Sequence, residues 1–172
     1  MPLTDAYPCA VVFISIWIDD AWKPVGTGFF VGLPRPDGGI FRYLVTAAHV
    51  VNHGYRTAMR LRHVDGSVTH EPVGDWIPHA RSDVAVARIG DLAPDAIAMF
   101  TEWERFADIW TRQHDSEIVV GDQVYFIGLL TNVPSMIDQS IPMVRSGHIG
   151  ALYQDDIPAR DGPTLRYEPV AT

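Results

Sequence analysis

The chain has 172 residues, 47% of them hydrophobic, enough to bury a core in one large domain or two small ones, so disorder is not the default reading. Its 21 acidic residues against 13 basic ones leave a net charge of −8, and Lys23 is the only lysine among scattered arginines. That balance excludes the clustered basic surface that a nucleic acid or an anionic membrane would require, so neither is an expected partner.

Cys9 is the only cysteine, which rules out an intrachain disulfide and a cysteine-rich metal site. It adjoins the apolar run Ala10 to Ile18, where a thiol behaves as a buried and inert group. The run has no basic residue before it and no small-residue cleavage site after it, and Asp19-Asp20 ends it like a turn. It is also too short to span a bilayer. We read it as the first strand of a soluble, cytoplasmic protein.

The strands are predicted at Val11 to Ile18, Gly28 to Val31, Phe41 to Val45, Thr57 to Arg62, Ser67 to Glu71 and Val84 to Ile89, all short and rich in β-branched or aromatic residues. Pro34, Pro36, Asp37, Gly38 and Gly39 make an irregular loop, and Asp65-Gly66 a hairpin turn. Met59 and Leu61 alternate with Arg60 and Arg62, giving that strand one apolar and one polar face. Six such strands fit a small closed antiparallel barrel, which leaves no open sheet edge. From Ala96 to Gln113 the pattern changes. Phe100, Trp103, Ala107 and Trp110 recur at spacings of three and four, predicting a short amphipathic helix between two halves. Strands then resume at Ile118 to Val120, Gln123 to Ile127, Met143 to Leu152 and Thr164 to Tyr167.

Two residues in the first half suit acyl-transfer chemistry. His49 ends an apolar strand after Ala47 and Ala48, whose small side chains let the backbone turn and leave an imidazole at a strand end facing a cleft. A general base needs that placement and a side chain that titrates near neutrality. Asp83 opens the apolar run Val84-Ala85-Val86-Ala87, where its carboxylate could orient the other ring nitrogen. Singly, each reads as a structural residue; as an ordered pair on an all-β background they read as a catalytic dyad.

Gly26-Thr27-Gly28-Phe29-Phe30-Val31, Leu44-Val45-Thr46-Ala47-Ala48-His49 and Ser82-Asp83-Val84-Ala85-Val86 resemble, in content and order, the first half of trypsin-like serine endopeptidases of the bacterial, disulfide-free kind. Val120-Gly121-Asp122-Gln123-Val124-Tyr125-Phe126-Ile127-Gly128 and Val144-Arg145-Ser146-Gly147-His148-Ile149-Gly150 look like two strands of that family's second barrel. The resemblance implies a mostly-β double barrel: a complete N-terminal barrel over residues 1–94 carrying His49 and Asp83, a helical connector over 95–117, and an incomplete second barrel over 118–172. It implies His49 as general base, Asp83 as its orienting acid, a polypeptide substrate once the site is completed, and no cofactor.

The departure is at the nucleophile. The family's serine stands in a Gly-X-Ser-Gly turn whose amides also form the oxyanion hole, and no such turn occurs here. Ser146-Gly147 is the only Ser-Gly pair, with Val144 in the first glycine's place and a strand around it, so Ser146 is set aside as nucleophile. Ser135 and Ser140 read as polar loop residues. Compact relatives would carry the serine turn close to where this sequence stops, so the expectation is a truncated form, inactive as written.

Three rivals remain. Seven histidines raise a metal enzyme, but His49 and His53, four apart, flank Val50 where a zinc peptidase would carry its glutamate, and His63, His70 and His79 have no carboxylate at a recognisable spacing, so no metal is expected. A non-catalytic binding module on a protease-like fold is the stronger rival. The third is a split protease, in which a partner strand completes the second barrel.

Overall fold

The computed structural model describes residues 7–102, 118–128, 138, 140–150, 158–159 and 162–163. After a 3-10 turn at Tyr7–Ala10, the chain forms Val11–Ile18 (β1), Ala21–Pro34 (β2), Ile40–Thr46 (β3), a one-turn helix Ala48–Val51 (α1), Thr57–Arg62 (β4), Val68–Val73 (β5), Ile77–Pro78 (β6), Ala85–Ile89 (β7) and Thr101–Glu102 (β8). A separate hairpin pairs Gln123–Gly128 (β9) with Met143–His148 (β10). The architecture is mostly β and chymotrypsin-like, as the sequence predicted.

β1 and β2 are joined by Asp19 and Asp20, both at positive φ, 51° and 56°. Short polar side chains tolerate that region, and two such residues give the turn that matches the right-handed twist of a hairpin. β2 is much longer than predicted. Its pairing with β1 shifts register between Ile14 and Ser15, where Ile14 faces Gly26 and Ser15 faces Pro24. The bulge at Val25 accommodates Pro24, which has no N–H to give a ladder.

The main sheet runs in the order β5-β4-β1-β2-β3-β7-β6, with β8 added parallel to β2. Its two ends, β5 and β6, are consecutive in sequence, separated by residues 74–76 with Asp75 at φ 53°. One stretch of chain thus pairs with β4, turns a corner, and pairs with β7. Inside lie Ile14, Phe30, Leu44, Met59, Leu61, Ala87 and their neighbours, an unbroken apolar core. The alternation of Met59 and Leu61 with Arg60 and Arg62 appears as predicted, with the two apolar residues buried.

β1 is buried on both faces. Val12 and Ile14 join the core, while Phe13, also fully buried, lines a cavity of about 300 Å³ together with Arg60, Ile141 and Pro142. Arg60 Nη2 donates to the Asp138 carbonyl at 3.0 Å, so this face is where Asp138 and Ser140 to Pro142 meet the sheet.

The predicted helix does not begin at Ala96. Residues 96–102 are extended: Ala96 bridges His63, the amides of Ile97 and Met99 donate to the carbonyls of Arg62 and Cys9, and Phe100 packs on Phe30 with ring centroids 5.2 Å apart. Partners for these amides on β4 and on the 3-10 turn override the three-four periodicity. The rest of the predicted helix, and the predicted strand Thr164 to Tyr167, lie outside the described residues. Ile118 to Val120 is not a strand; Val119 to Asp122 is a turn with Gly121 at φ 97°, closed by the Asp122 amide on the Val119 carbonyl and by the Asp122 carboxylate on the Val119 amide. β10 ends at His148, short of Leu152. Among the described residues, no helix is long and apolar enough to cross a membrane.

Candidate active site

Two local features put His49 where it is. β3 ends at Thr46, whose buried hydroxyl donates to the Thr27 carbonyl on β2 at 2.9 Å and ties the strand end down. The chain then turns into α1, and Val50 on that turn packs over β2. A Cβ on Gly26 would stand 2.7 and 2.8 Å from the Val50 methyls, closer than packed atoms tolerate, so glycine is what lets the helix seat here. His49 is therefore the second residue of a helical turn rather than the last residue of a strand.

That turn has a deficit. Its N-cap residue, Ala47, has no side-chain oxygen, and the first amides of a helix have no partner within the helix. Asp83, 34 residues away, supplies the missing acceptor: its Oδ1 takes the His49 amide at 2.9 Å, while Oδ2 lies 2.5 Å from Nδ1 of the same residue. A carboxylate only accepts, so Nδ1 carries the proton of a neutral ring and Nε2 carries the lone pair. No hydrogen bond engages Nε2 among the described residues, and the imidazole is 73% exposed. The His49 amide first, and its ring second, hold the Asp83 carboxyl below its ordinary value, partly offset by burial. The structure thus brings together both residues the sequence singled out.

Asp83 does not open a strand. It stands at the tip of the β6–β7 hairpin, whose last ladder pair, Pro78 and Ala85, is extended by the His79 amide on the Val84 carbonyl at 2.7 Å. Inside the tip, His79 Nδ1 accepts from the Ser82 hydroxyl at 2.6 Å and from the Arg81 amide at 3.3 Å. In the sequence His79 stands out only as a histidine with no carboxylate at a recognisable metal-ligand spacing. The available signal was its place four residues before Asp83, and no motif marks that spacing.

Three other histidines, His53, His63 and His70, have partners nearby. His53 Nε2 lies 2.5 Å from the carbonyl of Val50. His63 is buried, with Nε2 2.9 Å from the Thr69 hydroxyl and Nδ1 3.2 Å from an Asp95 carboxylate oxygen, within ion-pair range but off the line of a hydrogen bond. The Asp95 carboxylate comes beside His63 through the bridge to Ala96, a contact that no sequence spacing marks. His70 stacks on Trp22, and burial and then Arg60 lower its tendency to protonate. Ser146 sits in the middle of β10 opposite Tyr125, in extended backbone and not in a turn.

No protein-family model matches the chain, and no curated protein does. Among solved structures the chain is similar to the apo form of the MamO protease domain from Magnetospirillum magneticum, at a TM-score of 0.58 and 20% identity over 94% of this chain and 69% of that one. At that identity the likeness is one of fold.

Proposed function

We propose that His49 and Asp83 are the general base and orienting acid of a trypsin-like serine endopeptidase mechanism, whose nucleophile and oxyanion hole are not encoded in these 172 residues. The observation that carries this reading is the Nδ1 to Asp83 contact of 2.5 Å, which commits one ring nitrogen and leaves Nε2 bare beside solvent. In that arrangement Nε2 takes the proton of an attacking hydroxyl and returns it to the leaving amine, and Asp83 stabilises the imidazolium between the two steps. The likeness in fold to a protease domain supports the reading at the level of architecture. The substrate class is polypeptide, and no cofactor takes part in these steps.

Ser146 cannot serve, because a mid-strand hydroxyl lacks the flanking amides that would stabilise a tetrahedral oxyanion. The chain as given is therefore expected to show no peptidase activity and no labelling by a serine-reactive fluorophosphonate. Stoichiometric labelling, mapped by peptide mass spectrometry, would refute the proposal.

One observation favours a second reading, a site completed by a partner strand. Among the described residues β9 pairs only with β10, and Tyr125 and Val144 on this two-stranded hairpin are exposed. Open ladder edges beside apolar side chains are suited to strand addition. Copurification of a serine-bearing polypeptide that restores fluorophosphonate labelling would select this form; a chain that stays monomeric and unlabelled in its native extract would exclude it.

A further inference from the structure

Asp83 reaches His49 from the tip of a hairpin, and a tip is a poor place from which to hold a carboxylate still. Four residues, Ala80 to Asp83, lie between the closing pair His79 and Val84. Three contacts tighten that tip. The Val84 amide turns back onto the Ser82 carbonyl at 2.8 Å, and the other two converge on one atom, Nδ1 of His79.

We infer that His79 is the positioning residue for Asp83: its Nδ1, accepting the Ser82 hydroxyl and the Arg81 amide, fixes the tip in the shape that presents the carboxylate to both the amide and the ring of His49. Nδ1 can accept only while it bears no proton, so the ring is held as its Nε2–H tautomer. The geometry is that of an Asx turn with imidazole in place of the carboxamide: a side-chain acceptor at the first residue takes the amide two residues on. His79 touches no reacting atom, and this inference rests on the reading of His49 and Asp83 as a working pair.

The readout is hydrogen exchange of the His49 backbone amide, followed by NMR at mildly alkaline pH, where histidine side chains in general carry no second proton and can accept. That amide donates to Asp83 Oδ1 at 2.9 Å, so its protection reports where the carboxylate stands. In the unaltered chain the amide is protected. Asp83→Ala removes the acceptor, and the protection is lost. His79→Ala lets the tip relax from both contacts and loses most of the protection. Ser82→Ala loses less of it. His79→Asn, whose carboxamide oxygen can accept the Arg81 amide, restores it. Protection unmoved by His79→Ala, or an Asn variant that behaves like Ala, overturns the role of His79 while the pair stands. A His49 amide as unprotected in the unaltered chain as in Asp83→Ala refutes the pair itself, and this inference with it.

Discussion

The sheet of residues 7–102 buries a continuous apolar core, whereas the β9–β10 hairpin, among the described residues, leaves apolar side chains exposed. In the first, β1 is buried on two faces and the core from Ile14 to Ala87 is continuous. In the second, Tyr125 and Val144 remain near 40% exposed. The difference lies in neighbours as well as composition: β1 is almost wholly apolar with a strand on each side, whereas β9 has one strand beside it among the described residues, and that strand, β10, carries Arg145, Ser146 and His148. Apolar content promotes a strand, but only a complete set of pairing partners turns it into a core. The candidate base and acid belong to the closed region, where the fold can hold them.

The comparison can be broken first by truncation. Leu44→Ala, in the centre of the closed core, should destabilise the protein by about 2–5 kcal/mol in denaturant titration. Tyr125→Ala on the open hairpin should stay within about 0.5 kcal/mol, as an exposed substitution does. Equal losses would show that the hairpin is packed as tightly as the sheet.

Next comes the seat of the turn that bears His49. Gly26→Ala forces a methyl against Val50 and should cost about 1–3 kcal/mol. Adding Val50→Ala should recover part of that loss, because the two residues share one contact. A Gly26→Ala variant of unchanged stability would mean that α1 does not depend on this close approach.

The smallest expected effect is the pair's own contribution to stability. Asp83 and His49 are exposed enough to be screened, so Asp83→Asn should cost about 1 kcal/mol or less at neutral pH. The folded-state value of Asp83 is the lower one, so its contribution is complete above the ordinary value of 3.8 and disappears as pH falls through the folded value. The gap between the unaltered and Asn proteins should therefore narrow at acid pH; a gap that widens there would contradict the assignment.

The sequence made some of this legible. The bounds of β1 and β4 can be read directly, because Val11–Ile18 and Thr57–Arg62 are dense in apolar or β-branched residues and end at turns. The first half of β2 could not be read, because Pro24 and Gly26 look like strand breakers. Pro24 is absorbed by a bulge, and Gly26 is small for the sake of Val50, a partner 24 positions away. The stretch from Ala96 was misread for a similar reason: its periodicity is local, while its amide partners on Cys9 and Arg62 are distant. His49 and Asp83 were legible as a pair through their segments' resemblance to a known order. That Asp83 also caps the turn bearing His49 was not, since the missing oxygen at Ala47 shows only once the helix is in place.

The most direct measurement is the tautomer of His49 in the unaltered chain, read from long-range nitrogen-15 to proton spectra at a pH where the ring is neutral. The account predicts Nδ1–H with a bare Nε2, lost in Asp83→Ala. A His49 found as Nε2–H, or one indifferent to Asp83→Ala, would contradict it.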